Sequence, residues 1–134
     1  MISQIVLVVL VLLILTGFGL AYSVTADPSG RGTHQQFGLP PCVILTLTRI
    51  PCPTCGMTTS FAHFVRGQWR ESAAANVSGF LMAVMSLCFL PWSLVSLFRR
   101  EWWLIRNPER WLSGLSLGWL SVVMLEWAVR NFPS

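Results

Sequence analysis

Three long apolar stretches constrain what this chain can fold into more than any other feature. They run from Ile2 to Tyr22, from Asn76 to Phe98 and from Trp111 to Val129. Each can cross the hydrocarbon core of a bilayer as a helix, which takes about 20 residues. The chain of 134 residues is only 10% charged, whereas soluble domains carry about 25% charged residues. The sequence therefore predicts an all-α integral membrane protein with three transmembrane helices, organised as one membrane domain over residues 1–134.

The third apolar stretch carries small residues on one side. Gly114 and Gly118 are four residues apart and share a helix face, with Ser121 close above them. Because small side chains let another helix approach closely, we expect this face to pack on another subunit or on a second copy of the chain. Near the end of the stretch, Glu126 precedes Arg130 by four residues, a spacing that predicts an ion pair.

The charged residues bear on partners and orientation. All nine basic side chains are arginine, and none forms a basic stripe with interleaved aromatic residues in a polar segment, so we expect no nucleic acid and take the lipid bilayer as the partner. Positive charge concentrated in a short loop marks the cytoplasmic side. We therefore expect a cytoplasmic N-terminus and an extracytoplasmic first loop, residues 23–75. The reverse orientation stays open, since no arginine precedes the first stretch. The link between the second and third stretches holds four arginines within twelve residues: Arg99, Arg100, Arg106 and Arg110.

The first loop divides into a connector and a more structured part. Ser23–Pro41 is rich in Gly, Pro, Ser and Thr, which is typical of an irregular connector. Val43–Ile50 is apolar but too short to cross a membrane, so we expect a strand-like or re-entrant piece at the interface. Met57–Arg66 is predicted to form a short interfacial helix that ends at Gly67. From there the chain is expected to lead straight into the second span.

Three of the four cysteines lie in this loop in the pattern C-x9-C-P-x-C-G, and we name them the loop cysteines: Cys42, Cys52 and Cys55. Pro53 presets a turn and Gly56 permits a positive φ, so the sulfurs of the CPTC pair can point the same way. A helix that begins after Gly56 would aim backbone N–H groups at Cys55 and lower its thiol pKa. The fourth cysteine, Cys88, lies alone in the second span and is expected to be a small buried apolar side chain.

Two cysteines separated by two residues are moderately specific for metal or thiol chemistry. A full zinc site requires a second such pair or histidines at matching spacing. His63 lies eight residues after Cys55 and is a candidate fourth ligand, although His63 and the other histidine, His34, are each more typical of interfacial polar residues. A disulfide is the alternative in an oxidising compartment. We expect the loop cysteines to gather in one structural site, held by a disulfide or by a metal, with zinc as the candidate cofactor.

The loop motifs resemble those of a known family. Pro41–Cys42, the stretch CPTCGMT and the later GQWRESAAAN are similar to the small bacterial membrane proteins catalogued as domain of unknown function 2752. The resemblance implies a bacterial cytoplasmic membrane protein and carries no established activity. Two positions depart from the family pattern: Thr59 stands where Arg is usual, and Val77 replaces the usual Pro, so any role of that arginine is in doubt here. The matching positions are Cys42, Cys52, Pro53, Cys55, Gly56, Thr58, Gly67, Ala74 or Ala75, and Asn76.

Three functions remain open from the sequence. The first is a non-catalytic accessory or scaffold subunit of a larger membrane complex, with the loop cysteines as a structural knot. The alternative is a thiol–disulfide redox or metal-handling membrane protein that uses the CPTC motif. The chain has no lysine and no βαβ pattern frames the motif, which leans against an enzyme. A transporter or channel part would depend on Glu126, the lone ionisable candidate within a span.

Overall fold

The computed structural model describes residues 2–100 and 107–132, and over these the regular structure is entirely helical. The predicted fold class is confirmed, because three helices are long and apolar enough to cross a membrane and the cysteine-bearing loop lies between the first two. Arg106 lies outside the described residues. In chain order the elements are α1 (Ile2–Ser23), a 3-10 helix (Thr33–Phe37), α2 (Val43–Thr48), α3 (Met57–Phe64), α4 (Trp69–Ala75), α5 (Val77–Arg99) and α6 (Pro108–Asn131).

The segment before the second span folds differently from the expectation. The chain does not lead straight into the span, because α4 forms first and ends at Asn76. Asn76 is fully buried and has extended backbone angles, φ −165° and ψ 114°, which interrupt the helix. Its side-chain oxygen accepts the N–H of Gly79 at 2.6 Å, so Asn76 caps the start of α5. A single buried amide thus separates two helices that the alanine-rich sequence would otherwise join.

The apolar piece that follows Cys42 is helical, so the strand-like alternative is wrong. It forms α2, which ends at Arg49 in the left-handed conformation, φ +61°. Its apolar side chains point outward, with Leu47 77% exposed. A six-residue helix with an apolar outer face is typical of the boundary between lipid headgroups and acyl chains. The interfacial helix predicted from Met57 is also present, as α3, although it ends at Phe64 rather than at Arg66.

Aromatic side chains join the loop to the first two spans. Phe18 of α1 packs against Phe61 and Phe64 of α3, with ring centroids 6.0 and 6.2 Å apart. Phe64 in turn meets Phe80 of α5 edge to face at 5.8 Å. Arg66, just past α3, donates hydrogen bonds to backbone carbonyls at the end of α1, which lack helical partners. The loop and the first two spans therefore form one packed unit.

Polar contacts dock the third span on the second. The Glu126 carboxylate of α6 accepts the backbone N–H groups of Val77 at 2.8 Å and Ser78 at 2.7 Å, and also the Ser78 hydroxyl. Arg130 pairs with the same carboxylate at 3.4 Å, at the spacing noted in the sequence. The indole N–H of Trp119 donates to the Ser78 carbonyl at 3.3 Å. One helix thus supplies a cap for the N-terminus of its neighbour, a contact that the i, i+4 pattern does not reveal.

Two further expectations concern side chains on the outer surface of the spans. A Cβ added at Gly114 or at Gly118 would meet no heavy atom within 4 Å, so the small-residue face of α6 is open in the monomer. The Ser121 hydroxyl bonds back to Leu117 of its own helix at 2.8 Å. Packing of this face on a partner remains a prediction. The expectation that Cys88 is buried is wrong, because its side chain is exposed on α5.

Candidate metal centre

The loop cysteines converge from two helix starts. Cys42 precedes α2, while Cys52 and Cys55 flank the turn that precedes α3. The Sγ atoms of Cys52 and Cys55 are 3.0 Å apart, and all three sulfurs lie within 4.8 Å of one another. All are free thiols, Cys55 buried and the other two half-buried. Two segments that are ten residues apart in sequence therefore present their sulfurs to one point.

A tight turn aligns the CPTC pair. The N–H of Cys55 donates to the Cys52 carbonyl at 3.0 Å, which closes the turn. Gly56 follows with φ +91°, a conformation that side chains with a Cβ rarely adopt. A Cβ there would lie 2.6 Å from the carbonyl oxygen of Ala75 and 2.9 Å from that of Gly30. Glycine is thus required both by its own backbone and by the approach of two other segments.

The second and third spans hold this turn in place. The Asn76 amide donates to the Cys55 carbonyl at 3.2 Å and, more weakly, to the Pro53 carbonyl at 3.5 Å. The indole N–H of Trp127, near the end of α6, donates to the Pro51 carbonyl at 2.7 Å. These hydrogen bonds satisfy backbone carbonyls before the motif and within it. The CPTC turn is therefore rigidly held by groups 21 and 76 residues away.

The thiols differ sharply in acidity. Burial raises the pKa of Cys55 to about 12, with a further contribution from its hydrogen bonds to Cys52 and Cys42. The expectation that helix α3 lowers this pKa is wrong, because removal of water from the thiolate outweighs the amide dipoles. The backbone N–H of Leu45, at the start of α2, is the main reason that the pKa of Cys42 falls to about 7. In the absence of a metal, Cys42 is thus the more easily deprotonated of the two.

The spacing of the sulfurs suits a metal ion. Tetrahedral coordination with Zn–S bonds of about 2.3 Å places thiolate sulfurs about 3.8 Å apart. The sulfur–sulfur distance in the structure is 3.0 Å for Cys52 and Cys55 and at most 4.8 Å for the other pairs, a range that includes that value. To bind zinc, the sulfurs of Cys52 and Cys55 have to move apart by about 1 Å, which a small χ1 rotation can achieve. A cation would also remove the cost of ionising a buried thiol. The three residues therefore fit a thiolate-bound metal.

His63 is not brought to the sulfurs. It lies in the last turn of α3, whereas the loop cysteines lie before its first turn, and its Nδ1 is hydrogen-bonded to Gln68 at 2.7 Å. Six residues of α-helix from Met57 to His63 correspond to about 9 Å. Among the described residues, the compact group of metal-ligating side chains at this point comprises the loop cysteines only.

A cleft of about 720 Å³ opens onto the sulfurs. Its opposite wall comes from the connector, which the sequence predicts to be irregular but which contains the 3-10 helix. Thr33 and Thr59, both fully buried, join this helix to α3 through their hydroxyls at 2.7 Å. Thr59 thus anchors the connector to α3. The cleft is lined by polar side chains from the connector: Ser29, Arg31, His34 and Gln35.

Sequence reasoning missed most of the residues that hold this site. Trp127 and Glu126 act across the fold at separations for which no local pattern exists. Asn76 carried a signal, since it follows an alanine run that would otherwise continue as helix. Thr33 and Thr59 carried no signal beyond their hydroxyl groups.

The comparison with known proteins agrees with the resemblance seen in the motifs. Residues 42–90 match the model of the family described as Protein of unknown function (DUF2752). The match includes the loop cysteines, α3, α4 and the first part of α5. No curated protein and no solved structure shows significant similarity to this chain.

Proposed function

We propose that this chain is a non-catalytic, small integral membrane subunit whose extramembrane loop is held in shape by a zinc ion bound to the loop cysteines. The observation that carries the proposal is the convergence of three thiol sulfurs within 4.8 Å, on a turn that Asn76 and Trp127 fix from outside. Zinc is favoured because it prefers thiolate ligands in structural sites and needs no redox partner.

The composition of the loop interior supports a structural role. Its buried side chains are small or polar: Thr33, Thr59, Ser60 and Ser72 are fully buried, and few large apolar residues join them. Hydrogen bonds such as Ser60–Ser72, 2.9 Å between the hydroxyl oxygens, satisfy these groups but contribute only about 1 kcal/mol each. A module with so little apolar core is a typical case for a metal or covalent staple. The metal would thus contribute directly to the folding free energy of the loop.

We also propose that the whole chain is a single membrane domain in a bacterial cytoplasmic membrane, with the cysteine loop outside the cytoplasm. The support is the arginine-dense link, of which Arg99, Arg100 and Arg110 are described. A cysteine introduced at Arg110, in a variant whose native cysteines are replaced, should resist a membrane-impermeant maleimide in intact cells and react after lysis. Reaction in intact cells would reverse the orientation.

The largely exposed surface of α6 supports a role inside a larger complex. Only 6% of the residues in the assessed part of its span are buried, and among the described helices its backbone approaches that of α5 closely, while Trp127 reaches the Pro51 carbonyl in the loop. Lipid can cover such a surface, but the open glycine face favours close helix contact. We propose that this face binds another membrane subunit or a second copy of the chain.

The experiment that tests the zinc centre measures metal content and mass together. The wild-type protein, purified in detergent without added metal, should carry one equivalent of zinc and show four free thiols after chelation. Serine variants of the loop cysteines, Cys42→Ser, Cys52→Ser and Cys55→Ser, should each lose the zinc and accumulate at lower levels. Cys88→Ser, which lies outside the site, should keep the zinc and accumulate as the wild type does. A mass lower by two hydrogens with no zinc would instead indicate a disulfide and refute the zinc centre.

A second function is favoured by one specific observation. The 3.0 Å between the sulfurs of Cys52 and Cys55, beside the more acidic thiol of Cys42, also suits thiol–disulfide exchange. In that case the pair would pass two electrons and two protons to a disulfide of a partner protein and become a disulfide itself. Normal accumulation of the serine variants, with no zinc in the wild type and a mixed disulfide trapped by Cys55→Ser, would support this function over the structural one.

A further inference from the structure

Helix α2 presents an apolar face that the rest of the described chain leaves uncovered. Val43, Ile44 and Leu47 share this face, because they are three and four residues apart, and they are 62%, 50% and 77% exposed. Among the helices that the structure describes, none packs closely against α2. A helix of six residues is too short to be stable alone in water, so α2 requires a surface that covers this face.

A hydrogen bond places the end of α2 at the depth of the loop-side ends of the spans. Ile50 follows the helix, and the carbonyl of the next residue, Pro51, accepts the indole N–H of Trp127 at 2.7 Å. Trp127 lies four residues before the end of α6, which is about 6 Å along the helix axis. Tryptophan near the end of a span is typical of the headgroup region of a bilayer. The C-terminal end of α2 therefore lies at the level where headgroups meet acyl chains.

The hydroxyl groups of α2 bond to the helix itself. Thr46 donates to the Cys42 carbonyl at 3.0 Å, and Thr48 donates to the Ile44 carbonyl at 2.7 Å. The backbone N–H groups of Thr46 and Arg49 also bond within the segment, each at 3.0 Å. Since these donors already have partners, they can leave water without losing a hydrogen bond.

The charge of the segment favours a lipid surface. Between Asp27 and Glu71 the chain carries four arginines and no carboxylate. Arg49 directly follows α2, is exposed, and precedes the exposed Ile50. A bilayer offers negative phosphate groups just above its acyl chains, so it matches a cation that is next to exposed apolar side chains.

From these observations we propose that α2 is a lipid-docking helix, whose Val43–Leu47 face inserts among acyl chains while Arg49 binds a lipid phosphate group. The occupant of this face is the bilayer around the chain's own spans. Cys42 directly precedes α2, so the docked helix holds this cysteine against the CPTC turn, which Asn76 and Trp127 hold from the other side. Lipid docking goes beyond the structural zinc centre and requires no metal at the loop cysteines.

Photo-crosslinking of the full-length protein in phosphatidylglycerol nanodiscs identifies what covers α2. Benzoylphenylalanine in place of Leu47 should give an adduct heavier by one lipid. The same replacement at Leu13, an exposed position of the first span, is the matched control and should do so too. An adduct with a second protein chain, or the absence of a lipid adduct at Leu47 while Leu13 reacts, would overturn lipid docking.

Amide hydrogen exchange in the same nanodiscs tests the apolar contact. The amides of Thr46 and Arg49 should exchange slowly in the wild type, because they are bonded within the segment. Leu47→Gln should accelerate their exchange at least about 10-fold, the effect of losing one buried leucine side chain, whereas Leu47→Met should leave it unchanged. Leu, Met and Gln have similar helix propensities, so the difference reports on contact with lipid. Equal exchange in the two variants would refute insertion of this face.

Charge variants test the headgroup contact. In nanodiscs with equal amounts of phosphatidylglycerol and phosphatidylcholine, the wild type should retain the anionic lipid preferentially when native mass spectrometry counts the lipids that stay bound. Arg49→Gln should reduce this preference, and Arg49→Lys should restore it, since the ammonium also binds phosphate. A preference that Arg49→Gln leaves unchanged would refute the phosphate contact.

Discussion

Replacement of Glu126 should undock the third span from the second. Its carboxylate is 11% exposed and accepts two backbone N–H groups, those of Val77 and Ser78, at 2.8 and 2.7 Å. Hydrogen bonds to a charged group contribute about 1.5 to 3 kcal/mol each, and the amides freed at the start of α5 have no helical partner. Glu126→Ala should therefore lower the free energy of unfolding by about 3 to 5 kcal/mol. Glu126→Gln, which keeps one acceptor oxygen, should lose about half as much.

Thermal unfolding in detergent, followed by tryptophan fluorescence, measures this effect. A loss of 3 kcal/mol corresponds to a midpoint lower by roughly 10 °C for a chain of this size. Glu109→Ala is the matched control, because Glu109 is exposed in the first turn of the same helix. Midpoints for Glu126→Ala and Glu109→Ala that both lie within about 2 °C of the wild type would show that the carboxylate does not cap α5.

Three further predictions concern the loop and the open face of α6. In metal-free, reduced protein, alkylation of Cys42 should accelerate as pH rises through about 7, because the thiolate is the nucleophile; a midpoint above 8.5 would refute the lowered pKa. Gly56→Ala should prevent accumulation of folded protein, since its Cβ would collide with two carbonyls. Gly67→Ala, at φ +73° with open space, should lower the free energy of unfolding by only about 1 to 2 kcal/mol. Equal yields of the two variants would contradict this. Gly114→Ile with Gly118→Ile should release the chain from its complex on native gels while the alanine pair keeps it there; unchanged mobility would mean that lipid covers this face.

The sequence predicted what depends on local pattern. Long apolar runs fixed the three spans to within a few residues, because the thickness of the bilayer sets helix length. The spacing of Cys52 and Cys55 led to a turn with both sulfurs on one side, and the sulfurs do lie 3.0 Å apart. Proline and glycine determine such a turn with little influence from the rest of the fold.

What the sequence did not predict depends on burial and on distant contacts. The pKa of Cys55 was expected to fall, yet it rises, since desolvation depends on neighbours that no local window contains. The break between α4 and α5 needs Asn76 to be buried against the Cys55 carbonyl, a contact across 21 residues. Glu126 was assigned to an ion pair within its own helix, whereas its main partners lie 48 and 49 residues away.

The contacts around the CPTC turn imply an order of events during synthesis. Cys42, Cys52 and Cys55 all leave the ribosome before Asn76, whose amide holds the turn, and well before Trp127, which reaches the Pro51 carbonyl. A nascent chain that ends after α3 carries every thiol yet lacks both outside supports. We therefore expect the finished geometry of the turn to appear only after the translocon has released the second and third spans into the bilayer, so that maturation of the loop reports on completed membrane insertion.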